Sequence, residues 1–458
     1  VGSIFGPVTI VSFATLAVLG VGGIVRAPQV LLAVNPAYAL GFLLENHTIG
    51  FLALGSVFLV VTGAETLYAD MGHFGHRPIR LAWYGLVLPS LLLNYFGQGA
   101  ILLDDPAKVS NPFYALAPSW AHYPLVLLAT AATIIASQAV ISGAFSLTRQ
   151  AVALGYCPRL RIRHTSSQEI GQIYVPAVNW VLMASTIVLV LAFRSSGKLA
   201  AAYGVAVTTT MIITTLLFYV VARERWKWSW WQAGLPTALF LLVDVSFFGA
   251  NIGKVAHGAW FPLAIGLVAF TFLSTWKRGR DVLASRYRTR AVSVKDLLAD
   301  LRRKPPPRAP GRAVYMTSNP DGVPPTLLLN LAHNDVLHEE VVFLTLVTES
   351  VPRVARGRRI ELKHLGSGIH RLVGHYGFQE TPDVPRLLGA AKTHGLELTM
   401  ADTTFFLGKE NVLPRKKSGM PAWRAWLFGL MVRNTLSATD YYKLPPDRVL
   451  ELGAQVEL

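Results

Sequence analysis

The chain has 458 residues, of which 52% are hydrophobic and only 15% charged, with a mean hydropathy of +0.42. Soluble domains carry about 25% charged residues, so an ordinary soluble enzyme is excluded as the dominant component. The net charge of +16 and pI near 10.0 would suit nucleic acid, but the basic residues fall in short loops between apolar runs, as in a multi-pass membrane protein. The single cysteine, Cys157, rules out an intrachain disulfide and sits in a basic loop, where it reads as an ordinary thiol.

Eight runs are long enough to cross about 30 Å of hydrocarbon. They are predicted at Ile4–Val25, Gly50–Tyr68, Leu81–Gln98, Pro124–Leu147, Tyr174–Phe193, Ala200–Val221, Ala233–Ala250 and Ala259–Thr275. The first opens the chain without an initiator Met or a basic leader, which suggests a fragment lacking upstream spans. Alternate loops carry fifteen Lys and Arg against five in the other set, so the basic set is expected in the cytoplasm.

The second run, FLALGSVFLVVTGAETLYAD (Phe51–Asp70), is the most informative. A carboxylate at membrane depth costs roughly 2.5–3.5 kcal/mol and is rarely placed there without a task. Here Glu65 follows Thr62 and Gly63, a hydroxyl and a flexible joint. An unwound helix exposes main-chain carbonyls that can replace the hydration of a cation. The plain alternatives are a structural carboxylate for Glu65, a hydroxyl bonded to its own helix for Thr62, and a close-packing contact for Gly63. Asp70, followed by His73, His76 and Arg77, is either a proton-exit carboxylate or an interfacial acid paired with a basic loop. Ser137, Gln138 and Ser142 form a polar stripe that suits interhelical bonding, and Asp244 reads as structural, bonded to Asn251 or to a neighbouring helix.

After Trp276 a basic amphipathic stretch leads to Lys304-Pro305-Pro306-Pro307, and the rest reads as a soluble α/β domain. Strands are predicted at Arg312–Thr317, Val341–Thr348, Arg358–Leu365 and Val449–Leu458, and helices at Pro325–His333, Pro385–His394 and Ala422–Ser437. The boundary is therefore expected near residue 276, with a transmembrane domain over 1–276 and a cytoplasmic domain over 277–458. Asn319-Pro320-Asp321-Gly322 reads as a turn rather than a phosphate cradle. No zinc-ligand spacing, Walker motif or nucleophile elbow occurs, so no enzyme and no cofactor are expected.

Several motifs resemble one family. GAETLYADMGHFG (Gly63–Gly75), NYFGQGA (Asn94–Ala100), ATIIASQAVISGAFSLTRQA (Ala132–Ala151), AAAYGVAVTTTM (Ala200–Met211) and TSNPDGVPP (Thr317–Pro325) look like the bacterial KUP/HAK/KT potassium uptake transporters. The likeness covers nearly the whole chain. It implies a LeuT-type inverted-repeat fold of about twelve spans with a C-terminal cytoplasmic domain, here missing its first spans, in the bacterial inner membrane. It also implies potassium import with a proton. The family's Gly-Asp-Ile-Gly-Thr-Ser-Pro-Leu-Tyr motif, which contributes to its cation site, has no counterpart here, so transport is expected only of a longer protein. By resemblance, Glu65 and Asp70 would couple protons, while Thr62, Gly63 and Tyr203 would hold potassium. Tyr203 could equally be an interfacial anchor. The expected partners are the lipid bilayer, a second copy of the chain, and cyclic di-AMP as a regulator of the cytoplasmic domain, with no nucleic acid. The weaker alternatives are an organic-solute carrier of the same fold and a non-transporting sensor.

Overall fold

The computed structural model describes residues 2–63, 75–164, 173–255, 258–289, 292–349, 351–413 and 419–457. Eight stretches among them are long and apolar enough to span a membrane. The chain divides into two compact units: one includes Val1–Ser146 and Asn179–Gly266, the other Leu147–Thr165, Ile173–Val178 and Leu267–Leu458.

The spanning elements are α1 (Gly2–Arg26), α2 (Pro36–Val57), α3 (His76–Ala82), which continues through a π-helical turn into α4 (Leu88–Asp104), α5 (His122–Ala153), α6 (Pro176–Phe193), α7 (Ser196–Glu224), α8 (Trp230–Ile252) and α9 (Trp260–Thr289). The stretch Pro36–Val60 holds two helical pieces, broken at His47 (φ 33°, ψ −99°) within the polar sequence Glu45–Thr48. The second piece begins near the start predicted at Gly50, and residues 64–68 of that predicted span lie outside the described residues.

In the first unit, glycines bring α1 and α4 into backbone contact. A Cβ on Gly20 would lie 2.3 Å from the Leu93 carbonyl oxygen, one on Gly23 2.6 Å from that of Gly97, and one on Gly97 2.6 Å from the Gly20 Cα. Small residues of this kind allow close packing where lipid offers no hydrophobic drive. The buried Asn94 donates to the Leu16 carbonyl (3.3 Å) and accepts from Gln98 (2.6 Å). Much of the NYFGQGA motif thus serves one helix contact. The buried Asp244 on α8 accepts from Thr215 on α7 at 2.6 Å, the expected bond to a neighbouring helix. Ser137, Gln138 and Ser142 lie exposed along α5.

In the second unit, β1 (Arg163–His164) pairs antiparallel with β2 (Ile173–Tyr174). Helix α9 continues past its apolar part to Thr289, taking in the basic stretch read as a separate amphipathic segment. The α/β domain then follows, with α10 (Val294–Arg303), β3 (Arg308–Met316), α11 (Pro325–Asn334), β4 (Leu337–Glu349), β5 (Ile360–Gly366), β6 (Ile369–Gly377), α12 (Val384–Ala391), β7 (Thr403–Leu413), α13 (Ala422–Arg433), α14 (Ala438–Tyr442) and β8 (Val449–Glu457). The sheet order is β5-β6-β4-β3-β7-β8, parallel except for the β5–β6 hairpin. One face packs Val314, Val342, Leu344, Leu372 and Phe405 under α12. The other packs Ala313, Tyr315, Val341, Phe343 and Phe406 under α10 and α11. Tyr315 stacks on Phe406 at 4.4 Å, and its full burial raises the phenol pKa.

Strands β6 and β7 and helix α10 are additions to the sequence reading. In β6, Ile369, Leu372 and Val373 are buried while Arg371 and His375 reach polar partners, so neither alternation nor a plain apolar run marks it. The Asn319–Gly322 segment is a turn, as expected. Its Asn319 side chain accepts from the Asp321 amide (3.1 Å), and Arg371 caps the Asp321 carbonyl (2.9 Å).

Candidate functional site

The candidate site is the place where α2 stops being an α-helix. After Val57 the chain tightens into a 3₁₀ turn, Phe58–Val61, then becomes extended at Thr62 (φ −82°, ψ 166°) and enters the left-handed region at Gly63 (φ 100°). Glycine adopts that conformation without the steric cost a Cβ would add. The predicted joint is where the helix ends. Glu65 and Asp70 lie outside the described residues, as does His73.

Phe58 anchors the break. It is 1% exposed, its ring centroid lies 6.2 Å from that of Phe247 on α8, and it lies close to Gly204 on α7. A Cβ on Gly204 would sit 2.7 Å from the Asn251 Oδ1 and 3.3 Å from the Phe58 ring. Three segments therefore meet closely at one glycine.

Around the end of the helix, side chains donate to main-chain carbonyls. Lys254, just beyond α8, donates its ammonium to the Gly55 carbonyl at 2.7 Å and to the Asn251 Oδ1 at 2.9 Å. Thr62 Oγ donates to the Leu59 carbonyl at 2.7 Å, and the Tyr95 hydroxyl to the Val60 carbonyl at 3.4 Å. Among the described residues Lys254 forms no ion pair, so its cation rests on neutral oxygens at the carbonyl end of a helix. A positive charge there is stabilised by the helix dipole by about 0.3–1 kcal/mol. Partial burial lowers its pKa.

This arrangement brings together only part of the expected residue set. Thr62 and Gly63 stand at the break, and the Thr62 hydroxyl bonds its own backbone while keeping lone pairs for a further donor or a cation. Tyr203 precedes Gly204 on α7 and is 41% exposed, on a helix packed next to the break. Lys254, Asn251, Phe58 and Tyr95 escaped the sequence reading as site residues. Lys254 counted there only as a loop charge and Asn251 only as a partner for Asp244. In the fold Asn251 instead accepts from Lys254 and donates to the Phe247 carbonyl (2.9 Å). The available signal was a lysine three residues after an asparagine at the end of an apolar span.

Chemically, the site is a cluster of main-chain and hydroxyl oxygens with an ammonium already resting on it. Oxygens of that type suit an alkali cation, which binds by replacing hydration oxygens with carbonyls. Residues 1–281 match the model of a K+ potassium transporter integral membrane domain, and residues 310–458 that of a K+ potassium transporter C-terminal domain. A probable potassium transport system protein Kup 1 of Geobacter sulfurreducens is 57% identical over 459 residues, covering all of this chain and 73% of the relative. Kup proteins of Myxococcus xanthus and Chlorobium chlorochromatii are each 54% identical over 458 residues, again across the whole chain and across 70% and 74% of the relatives. With eight candidate spans, an α/β domain and family models matching residues 1–281 and 310–458, the chain belongs to the Kup family of potassium transporters.

Proposed function

We propose that this potassium transporter moves its ion inward together with a proton, through the break in α2. The observation that carries the reading is the interruption itself. Between Gly55 and Gly63 three main-chain carbonyls accept from side-chain donors, and the Lys254 ammonium rests on one of them. Potassium would take the place of such donors on the oxygens near Thr62 and Gly63, with Tyr203 closing over it from α7. Glu65 would carry the proton, and Asp70 would pass it on. A carboxyl at membrane depth is held towards its neutral form by low dielectric, which lets it load and release a proton near neutral pH.

The reading extends to architecture and place. The membrane part, over 1–276, would follow a LeuT-type inverted repeat in a bacterial inner membrane, with the domain over 277–458 in the cytoplasm. The basic loop after α5 supports the orientation. Arg159 lies over the rings of Tyr441 and Tyr442 (6.0 Å each) and its carbonyl accepts from the Leu436 amide, so that loop and the α/β domain share a side. The α/β domain would serve regulation or dimer contact. A cavity of about 300 Å³ whose lining includes Arg149, Arg161, Tyr441 and Lys443, together with the carboxylates Glu380 and Asp440, would be the place for a phosphate-bearing regulator such as cyclic di-AMP.

The test is Glu65→Gln in the protein expressed from its complete gene. Potassium uptake coupled to internal acidification is expected to vanish while the protein still inserts. Undiminished uptake with normal acidification would overturn the proton role.

A further inference from the structure

Helix α13, AWRAWLFGLMVR, carries apolar residues on two sides, and its only charges are Arg424 and Arg433. One side is accounted for. Ala425, Phe428 and Met431 are buried with Trp276, Val282 and Leu283 of α9. The Phe428 ring lies tilted 5.3 Å from that of Trp276 and fills the space over Gly279, where a Cβ would meet its ring at 2.2 Å. Arg424 bonds Ser274 (2.6 Å) and Thr275 (2.9 Å), and Arg278 bonds the Gly419 carbonyl (3.3 Å). The other side carries Trp423 (57% exposed), Trp426 (63%) and Leu430 (41%), spaced i, i+3 and i+7 and hence one stripe.

An exposed stripe of two indoles and a leucine on a helix needs cover. The position of α13 on α9 decides what covers this one. The contacts fall on residues 274–283, where the spanning helix turns from Phe270 and Phe272, both exposed, to Lys277, Arg278 and Arg280. At a rise of 1.5 Å per residue, α13 meets α9 within roughly 10 Å of the last apolar turn of the span. That depth is the headgroup region, where indoles are enriched and amphipathic helices sink about 5–10 Å. Arg433, exposed at the end of α13, adds a cation beside the stripe.

We propose that α13 is an interfacial anchor: Trp423, Trp426 and Leu430 insert into the membrane–water boundary beside α9 and fix the α/β domain to the bilayer surface. The occupant of the face is lipid, because α13 is packed on α9 directly after the exposed Phe270 and Phe272 of the span. A second copy of the chain is the competing occupant, and the measurement separates the two.

The protein expressed from its complete gene, carrying Cys157→Ala and a spin label at Trp426→Cys, is reconstituted in vesicles of phosphatidylethanolamine and phosphatidylglycerol. A label at exposed Thr393→Cys serves as the aqueous reference. The proposal expects oxygen, which partitions into lipid, to relax label 426 several-fold more than a water-soluble nickel chelate does, with the reverse at 393. Matching behaviour at both positions would overturn it. Dipolar broadening at 426 that persists on dilution with lipid would also overturn it, by showing that a second copy covers the face. Leu430→Cys, one turn further on, gives the same readout should Trp426→Cys fail to fold.

Discussion

Two helix contacts in the first unit solve the same problem in opposite ways. Between α1 and α4, Gly20, Gly23 and Gly97 remove side chains until the backbones touch, and the helices stay regular there. Between α2 and α8 the backbone of one partner is interrupted, and main-chain carbonyls there accept from Lys254, Tyr95 and Thr62. A contact built from glycines has one arrangement, because any shift brings backbone atoms into collision. A contact built from a flexible lysine and hydroxyls can be remade with another cation or donor. The first suits a fixed wall and the second a part that moves.

The largest effect should come from breaking the wall. Gly97→Leu would push a side chain into the Gly20 backbone, and little inserted, folded protein should be recovered in a membrane-fraction and detergent-stability assay. Near-normal recovery would mean the α1–α4 contact is loose after all. Loss of transport without loss of fold is expected next, from Glu65→Gln, as set out above.

Lys254→Met sharpens the comparison, because it releases the Gly55 carbonyl while keeping most of the side chain's length. About 1 kcal/mol of cation–dipole stabilisation corresponds to roughly a fivefold effect. The KM for potassium should fall by about that factor in initial-rate uptake, since the incoming ion no longer competes with a tethered one. An unchanged KM would make the lysine a static clamp. Thr62→Val should be milder, raising KM by about a few-fold with the loss of one oxygen.

The α/β domain supplies a control far from the ion. Burial raises the Glu380 pKa, but amide donors at Gly377 (2.7 Å) and Val354 (3.1 Å), together with Arg359, outweigh this and hold it below the ordinary carboxylate range. The stability so gained is present above the unfolded-state pKa and lost as pH falls through the folded one. Glu380→Gln should therefore cost about 1–3 kcal/mol near neutral pH and less in acid, with KM for potassium unchanged. Thermal melts across pH 3–7 check the sign.

Much of this was legible in one dimension. Spans are long because lipid cannot bond the backbone, so composition alone reveals them. Gly63 marked the helix end because only glycine occupies its φ of 100° freely. Strand β6 was hidden because its polar residues answer to partners far along the chain, Arg371 to Asp321 and His375 to Glu349. The helical piece before His47 was hidden because the polar sequence Glu45–Thr48 separates it from the apolar run that follows.

By itself, the sequence determined a multi-pass membrane part joined to an α/β domain, the break at Thr62–Gly63, and the family, because each depends on local composition or on short motifs. Only the tertiary structure decided which groups answer that break. The pairing of Lys254 with Gly55 crosses nearly two hundred residues, and the lodging of Phe58 between Gly204 and Phe247 joins three separate helices. Such contacts are set by how helices pack in three dimensions, and neither periodicity nor hydropathy encodes them.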